Sequence, residues 1–374
     1  VRLWRRQAIY KIYYKNEITS YGKYRTRDDN FPFETTSSFQ IFPVNIYMKK
    51  KFIPILLFFL VAGSLVSAQN KMWKVYNTSN SDLPVNGIHT ITIDDNNNKW
   101  IGTWGGGMVL FDDSAMTIYD TSNSKLPHNT IYSIVIDKDD NKWVGTFGGG
   151  VAKFTGDKEW SVYDTSNSGL PHDWIYAIAI DRFGNKWFGT WGGGIAMFDD
   201  ENWIIYNTSN SPLPNIKVTA LTFDLENNLW IGTSGDIAMF DGTEWFTNTS
   251  LNFSPPVEGV YAFHIDIKGK IYIGLKFGGV YIIDENKCTS LTKENSGMPY
   301  YGVYSLDKDS DGNLWIANFG SGLLKYDGNT WIVYNESNSG LTDDNVFSVT
   351  IDKNDNKWIG TYSGGLLIFN ENEF

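Results

Sequence analysis

Residues 131–170 read "IYSIVIDKDDNKWVGTFGGGVAKFTGDKEWSVYDTSNSGL". "IYSIVID" is apolar and β-branched, and "DKDDN" is a turn. "KWVGTF" is a second strand, "GGG" turns the chain into a third, "VAKFTG", and "DKEWSVYDT" supplies a fourth. "SNSGLPHD" then leads onward. Short strands at even spacing, with Gly, Asn and Asp at the turns, predict all-β structure. Four strands in about 40–45 residues is the pattern of one propeller blade.

The unit recurs. Its anchor, Trp followed by an apolar residue and a small pair, stands at Trp100, Trp143, Trp187, Trp230, Trp315 and Trp358, with Tyr272 filling the gap. Successive spacings are 43, 44, 43, 42, 43 and 43 residues. The last copy stops at "GGLLIFNENEF" and lacks a fourth strand. An orphan fourth strand, "MWKVYNT" at Met72–Thr78, precedes the first copy. The expected fold is therefore a seven-bladed β-propeller of four-stranded blades. The N-terminal strand completes the last blade and leaves no open edge.

The units "LPHNTIYSIVIDKDDNKWVGTFGGGVAKF" and "LTDDNVFSVTIDKNDNKWIGTYSGGLLIF" resemble the two-component regulator propeller repeat. The resemblance covers about residues 72–370. It implies a propeller of the kind that forms the periplasmic sensor region of hybrid histidine kinases in Bacteroidetes-type bacteria, or a free-standing exported relative. No span, kinase, DNA-binding region or immunoglobulin-like domain follows Phe369 in this sequence. The resemblance therefore implies a sensing or binding propeller and not the whole signalling protein.

Three segments are expected. Residues 1–47, rich in Tyr, Lys and Arg, read as an upstream extension translated from too early a start. Residues 48–68 read as a signal peptide: Met48 and Lys49–Lys51, a short apolar run, then Val66-Ser67-Ala68. The run is short for a membrane span of about 20 residues. Residues 69–374 hold the propeller, expected in the periplasm or secreted, soluble and monomeric. Of the 31 basic and 42 acidic residues, 11 and 4 fall in 1–68, which leaves 20 and 38 and a net of −18 for the rest. Such a domain repels nucleic acid and anionic membranes. One cysteine, Cys288, excludes an intrachain disulfide framework.

Several motifs have plain structural readings. The glycine runs sit between strands, with no helix and no Lys-Ser/Thr behind them, so they are hairpin glycines and not a phosphate loop. The Asp after each first strand (Asp94, Asp137, Asp181, Asp224, Asp266, Asp307, Asp352) closes a turn. "DKDSDGN", Asp307–Asn313, also has the spacing of half a calcium loop, but Asn318 stands where the bidentate Glu would be. His128 and His172 occupy equivalent points on neighbouring blades and are not expected to converge on one metal. No catalytic residue, metal or cofactor is assigned.

Seven copies act as internal controls. Fixed positions serve the scaffold, and positions that vary while staying polar or aromatic are candidates for binding. One set follows Gly-Thr: Trp104, Phe147, Trp191, Ser234, Phe319 and Tyr362, with Lys276 and Phe277 in the shifted fifth copy. The other lies two past the Pro position: Asn86, Asn129, Asp173, Ile216, Glu258, Tyr301 and Asp344, with Trp174 and Lys217 beside it. Both sets should open on one face, at the channel mouth. Aromatic rings stack on sugar faces while amides and carboxylates fix hydroxyls, so a non-catalytic module that recognises a glycan, peptide or protein partner is expected; alternatively the aromatics wedge between blades. A propeller lyase or glycosidase, with Asp173, Glu258 and Asp344 as rim carboxylates, and a protein-docking scaffold of the cell envelope remain alternatives.

Overall fold

The computed structural model describes residues 72–156, 159–251, 259–284, 287–300 and 302–371. The upstream extension, the signal peptide, Glu258 and Tyr301 lie outside them. Among the described residues, strands form seven four-stranded antiparallel sheets, each ordered from the axis outward. In blade two these are Ile131–Ile136, Lys142–Thr146, Val151–Phe154 and Trp160–Tyr163. The other innermost strands are Ile88–Ile93, Ile175–Ile180, Val218–Phe223, Val260–Ile265, Val303–Lys308 and Val346–Ile351. Two one-turn helices, Asn248–Leu251 and Lys293–Ser296, interrupt connections. No helix among the described residues is long and apolar enough to cross a membrane.

Blade seven closes as the ends of the sequence predict. Trp73–Tyr76 pairs with Leu366–Phe369, in the register Trp73 opposite Phe369 and Tyr76 opposite Leu366. The second strand of every blade is buried along its whole length, because neighbouring strands and adjacent blades cover it on all sides. Outer strands are less covered and use both faces: Trp160 packs toward blade one and Tyr163 toward blade three.

The core lies between blades. Trp100 and Met108 of blade one pack on Ile131, Val144 and Phe154 of blade two. Trp358 and Leu366 of blade seven pack on Ile88 and Ile101 of blade one, closing the circle. The anchor glycine permits this approach: a Cβ on Gly145 would sit 2.9 Å from Ile175 Cγ2 of the next blade. The turn glycines have a different reason. Gly150 has φ +78°, and a Cβ there would meet the Tyr163 carbonyl at 2.1 Å.

The turn Asp and the anchor Trp are one device. Asp137 accepts from Trp143 Nε1 at 2.9 Å and from Asn141 N at 2.9 Å, and the same pairs recur at Asp94–Trp100 and Asp352–Trp358. The sixth copy needs a correction. Its turn carboxylate is Asp309, which accepts from Trp315 Nε1 at 2.8 Å, and not Asp307. Asp307 lies on the inner strand opposite Trp315 and accepts from Ile351 N of blade seven. The two carboxylates thus serve different partners, and Asp307–Asn313 forms a hairpin turn rather than half a calcium cradle. In blade five Tyr272 has no indole N–H; Lys308 donates to both its hydroxyl and Asp266.

A buried lysine precedes the anchor in four blades. Lys99 pairs with Asp113 and lies 4.3 Å from the ring centroid of Trp358, in the preceding blade. Lys142 over Trp100, Lys186 over Trp143 and Lys357 over Trp315 repeat the contact. Blades four and six place Leu229 and Leu314 at this position, both buried. Lys99 is fully buried and the Asp113 side chain is 55% exposed, so losing the lysine leaves a carboxylate in water, whereas losing the aspartate strands a buried charge. Lys99→Leu should therefore cost under about 1 kcal/mol, and Asp113→Ala roughly 2 kcal/mol because it leaves the ammonium buried. Urea unfolding of the two variants checks the order.

Candidate functional site

Every inner strand carries a β-bulge after its first residue, for example between Ile131 and Ser133 and between Val303 and Ser305. A bulge re-aims the extra side chain. Here it sends one residue per blade into the central channel: His89, Tyr132, Tyr176, Thr219, Tyr261, Tyr304 and Phe347. The channel has a volume of about 230 Å³. This inner tier was not among the candidates read from the sequence. Its signal is the repeat position just after the leading Ile or Val, which varies yet stays aromatic in six of seven copies.

Electrostatically the tier is neutral. His89 is deep in the molecule while keeping part of its surface on the channel. Burial lowers its pKa to about 4, against the opposing effect of its hydrogen bond to the Tyr132 carbonyl. Nδ1–H donates that bond at 3.1 Å. Burial and the neighbouring Tyr261 push the Tyr132 phenol up to about 12. Burial likewise raises Tyr176, Tyr261 and Tyr304; Lys276 pulls Tyr304 the other way.

A second aromatic tier sits outside the first. The residue after each second strand donates its N–H to the carbonyl just before an inner strand: Trp104 to Gly87, Phe147 to Thr130, Trp191 to Trp174, Tyr362 to Asn345. In blade five the residue in this backbone slot is Lys276, bonded to Gly259, while Phe277 lies one further along and exposed. Trp104, Phe147, Phe319 and Tyr362 are 37%, 41%, 48% and 51% exposed. They are neither fully wedged between blades nor isolated. Trp104 lies 5.5 Å from His89, 5.8 Å from Tyr132 and 6.2 Å from Tyr362, centroid to centroid. Trp191 stacks on Trp174 at 5.1 Å and on Tyr176 at 5.2 Å. Phe319 packs on Tyr304 and Phe347.

The polar set lies on the same face, since Gly107 N donates to Asn129 O and Gly150 N to Asp173 O. Its side chains are already engaged. Asn86, Asn129, Asp173 and Asp344 each accept from the backbone N–H eight residues earlier, on Thr78, Thr121, Thr165 and Glu336. These bonds clamp the loop between blades; Thr165 takes both carboxylate oxygens of Asp173, and Glu336 N takes one oxygen of Asp344. Ile216 is exposed. His128 and His172 use Nδ1 to accept from Thr130 N and Trp174 N. Lys217, also exposed, holds its ammonium 5.3 Å from the Trp191 ring centroid.

The family model described as "Two component regulator propeller" matches residues 125–148 and 297–320, in blades two and six with their leading loops. No curated protein matches the sequence. Among solved structures, the extracellular domain of a hybrid two component system from B. thetaiotaomicron is 21% identical with a TM-score of 0.68. That match covers 80% of this chain and 42% of that one, so this chain spans about two fifths of its length. PorZ, a surface component of the type-IX secretion system of Porphyromonas gingivalis, is 19% identical with a TM-score of 0.61, over 76% of this chain and 46% of PorZ. Virginiamycin B lyase from Staphylococcus aureus is 15% identical with a TM-score of 0.65, over 79% and 98%. At these identities the likeness is one of fold. The chain is a seven-bladed propeller that carries two component regulator propeller repeats.

Proposed function

We propose that this protein is an exported, non-catalytic binding propeller that takes an oligosaccharide at its channel mouth. The observation that carries the reading is the two-tier aromatic mouth. Large rings left partly in water, gathered on one face around a concave opening, are what a stacking ligand covers. Sugar rings present apolar C–H faces to such surfaces. Asp173 holds both carboxylate oxygens on Thr165, which favours binding over hydrolysis, because an acid–base pair needs carboxylates free to reach the bond. Export is supported by the basic–apolar–small pattern of residues 48–68 and by the extracellular domain with which the fold is shared.

Thermal shift of the full propeller against a saccharide panel tests this. A binder raises Tm. Phe319→Ala and Tyr362→Ala should each weaken binding roughly tenfold while leaving the unliganded Tm within a few degrees. If no saccharide moves Tm, the reading fails.

One observation favours a docking role as a second reading. On the opposite face, the turn tips of blades three, four and five carry exposed Phe183, Leu225 and Ile267; Leu225 and Ile267 directly follow the turn Asp, where the other blades place Asp95, Lys138, Arg182, Ser310 and Lys353, and Phe183 stands one residue further along. A co-purifying envelope protein lost on Phe183→Asp would support that reading.

A further inference from the structure

Blade four alone lacks an aromatic residue in both tiers of the mouth. Blade four places Thr219 in the inner tier and Ser234 in the outer one. Thr219 turns its hydroxyl to the Val260 carbonyl and fills little of the channel. The turn after Ser234 is one residue shorter than in blades one to three, and Asp236 Oδ1 folds back on Ile237 N. Two lysines bracket the gap. Ser234 N donates to the carbonyl of Lys217 on one side. On the other, the Ser234 carbonyl faces Gly259, whose own carbonyl accepts from Lys276 N. Lys217 directs its ammonium over Trp191, and Lys276 over Tyr261 and Phe277. Among the described residues neither ammonium has a carboxylate within ion-pair distance.

We propose that this notch is an anion subsite: the carboxylate or sulfate of an acidic oligosaccharide sits between Lys217 and Lys276 while its rings lie on the neighbouring aromatics. The inference rests on the saccharide reading above and adds the ligand's charge and orientation. A net-acidic domain repels anions over most of its surface, so two cations beside a break in an aromatic wall set a local preference. Ammonium–carboxylate and ammonium–sulfate hydrogen bonds supply the affinity, and the rings on either side fix the plane of the sugar.

The test compares matched pairs on the full propeller by calorimetry: oligogalacturonate, which carries carboxylates only, against its methyl ester, and a carrageenan oligosaccharide, which carries sulfates only, against its desulfated form. The expected result is that at least one acidic member binds and its neutral partner binds at least about tenfold more weakly. The pair that responds tells carboxylate from sulfate. Lys217→Gln and Lys276→Gln should each weaken the acidic ligand about tenfold and leave the neutral one unchanged. Ser234→Trp, which restores the residue seen at Trp104 and Trp191, should close the notch and abolish the preference for acid without lowering Tm. Equal binding of acidic and neutral partners, or lysine variants with no effect on the acidic ligand, would overturn the subsite and leave the saccharide reading standing. No binding by any member overturns both.

Discussion

Trp73→Ala lowers Tm by roughly 10 °C and makes the propeller self-associate as its concentration rises. Trp73 stacks on Phe369 at 4.4 Å and meets Tyr334 edge-on at 6.1 Å. It also covers Gly340, where a Cβ would lie 2.6 Å from Trp73 Cγ. It therefore holds the closing strand to blade seven and to the loop from blade six at once. Truncating a buried Trp to Ala costs about 3–5 kcal/mol. The consequence differs from that of an ordinary core deletion, because Trp73–Tyr76 is not joined to its neighbour Leu366–Phe369 by a hairpin. Once loosened it leaves, and Leu366–Phe369 becomes a free edge ready to pair with another chain. Trp160→Ala is the control. Trp160 holds the equivalent place in blade two, packed on Phe154 at 4.7 Å, but its strand is tied by a short turn. It should lose stability and remain monomeric. Equal behaviour of the two variants in calorimetry and light scattering would show that the closing strand has no special part in holding the ring.

Ring closure was legible because "MWKVYNT" copies the fourth strand that blade seven lacks. A strand missing at one end and spare at the other leaves two open edges unless the two ends pair. The sixth turn carboxylate was misread because matching copies from the left picks Asp307. The physical constraint runs from the right: the Asp must reach the indole N–H, and it stands six residues before the Trp in every Trp blade, Asp309–Trp315 included. The inner tier escaped notice because alternation gives each strand residue one of two faces, and a bulged residue obeys neither. The loop clamps at Asn86, Asn129, Asp173 and Asp344 looked variable and therefore free. Asn and Asp both offer a side-chain oxygen, so the residue type changed while the acceptor did not. The outer tier was visible in the sequence, but its exposure was not. Whether a ring after Gly-Thr faces water or the next blade depends on a backbone slot that only the pairing of Trp104 with Gly87, or Lys276 with Gly259, defines.

Acidification from pH 7 to pH 4 should remove about 3 kcal/mol of stability through His89 alone. The sign follows from burial. The folded channel lowers the imidazole pKa from 6.5 to about 4, so the fold favours the neutral ring. Above pH 6.5 neither state binds the proton and the full contribution is present. Between 6.5 and 4 the unfolded chain takes up a proton that the folded one refuses, and stability falls with pH. Below 4 both states are protonated and the loss levels off. The His89 ring lies 4.5 Å from Tyr132 and stacks at 5.7 Å on Phe347, and burial keeps the nearby Tyr132 and Tyr176 phenols neutral. Among the described residues no carboxylate pairs with His89 to receive an imidazolium. His89→Phe is the informative variant, since Phe347 shows that this ring fits the same tier in the adjoining blade. Its stability should decline less than wild type between pH 6.5 and 4, by roughly 3 kcal/mol, while the carboxylates contribute equally to both proteins. Parallel pH profiles, or a His89 ring proton that titrates near 6.5 by NMR, would place the imidazole in water rather than in the channel. The same neutrality bears on binding. With His89 uncharged at pH 7, the positive charge at the mouth comes from Lys217 and Lys276, on blades four and five. An acidic saccharide should therefore bind with little change in affinity from pH 5.5 to 8, and any steep gain below pH 5 marks His89 as a third cation in the site.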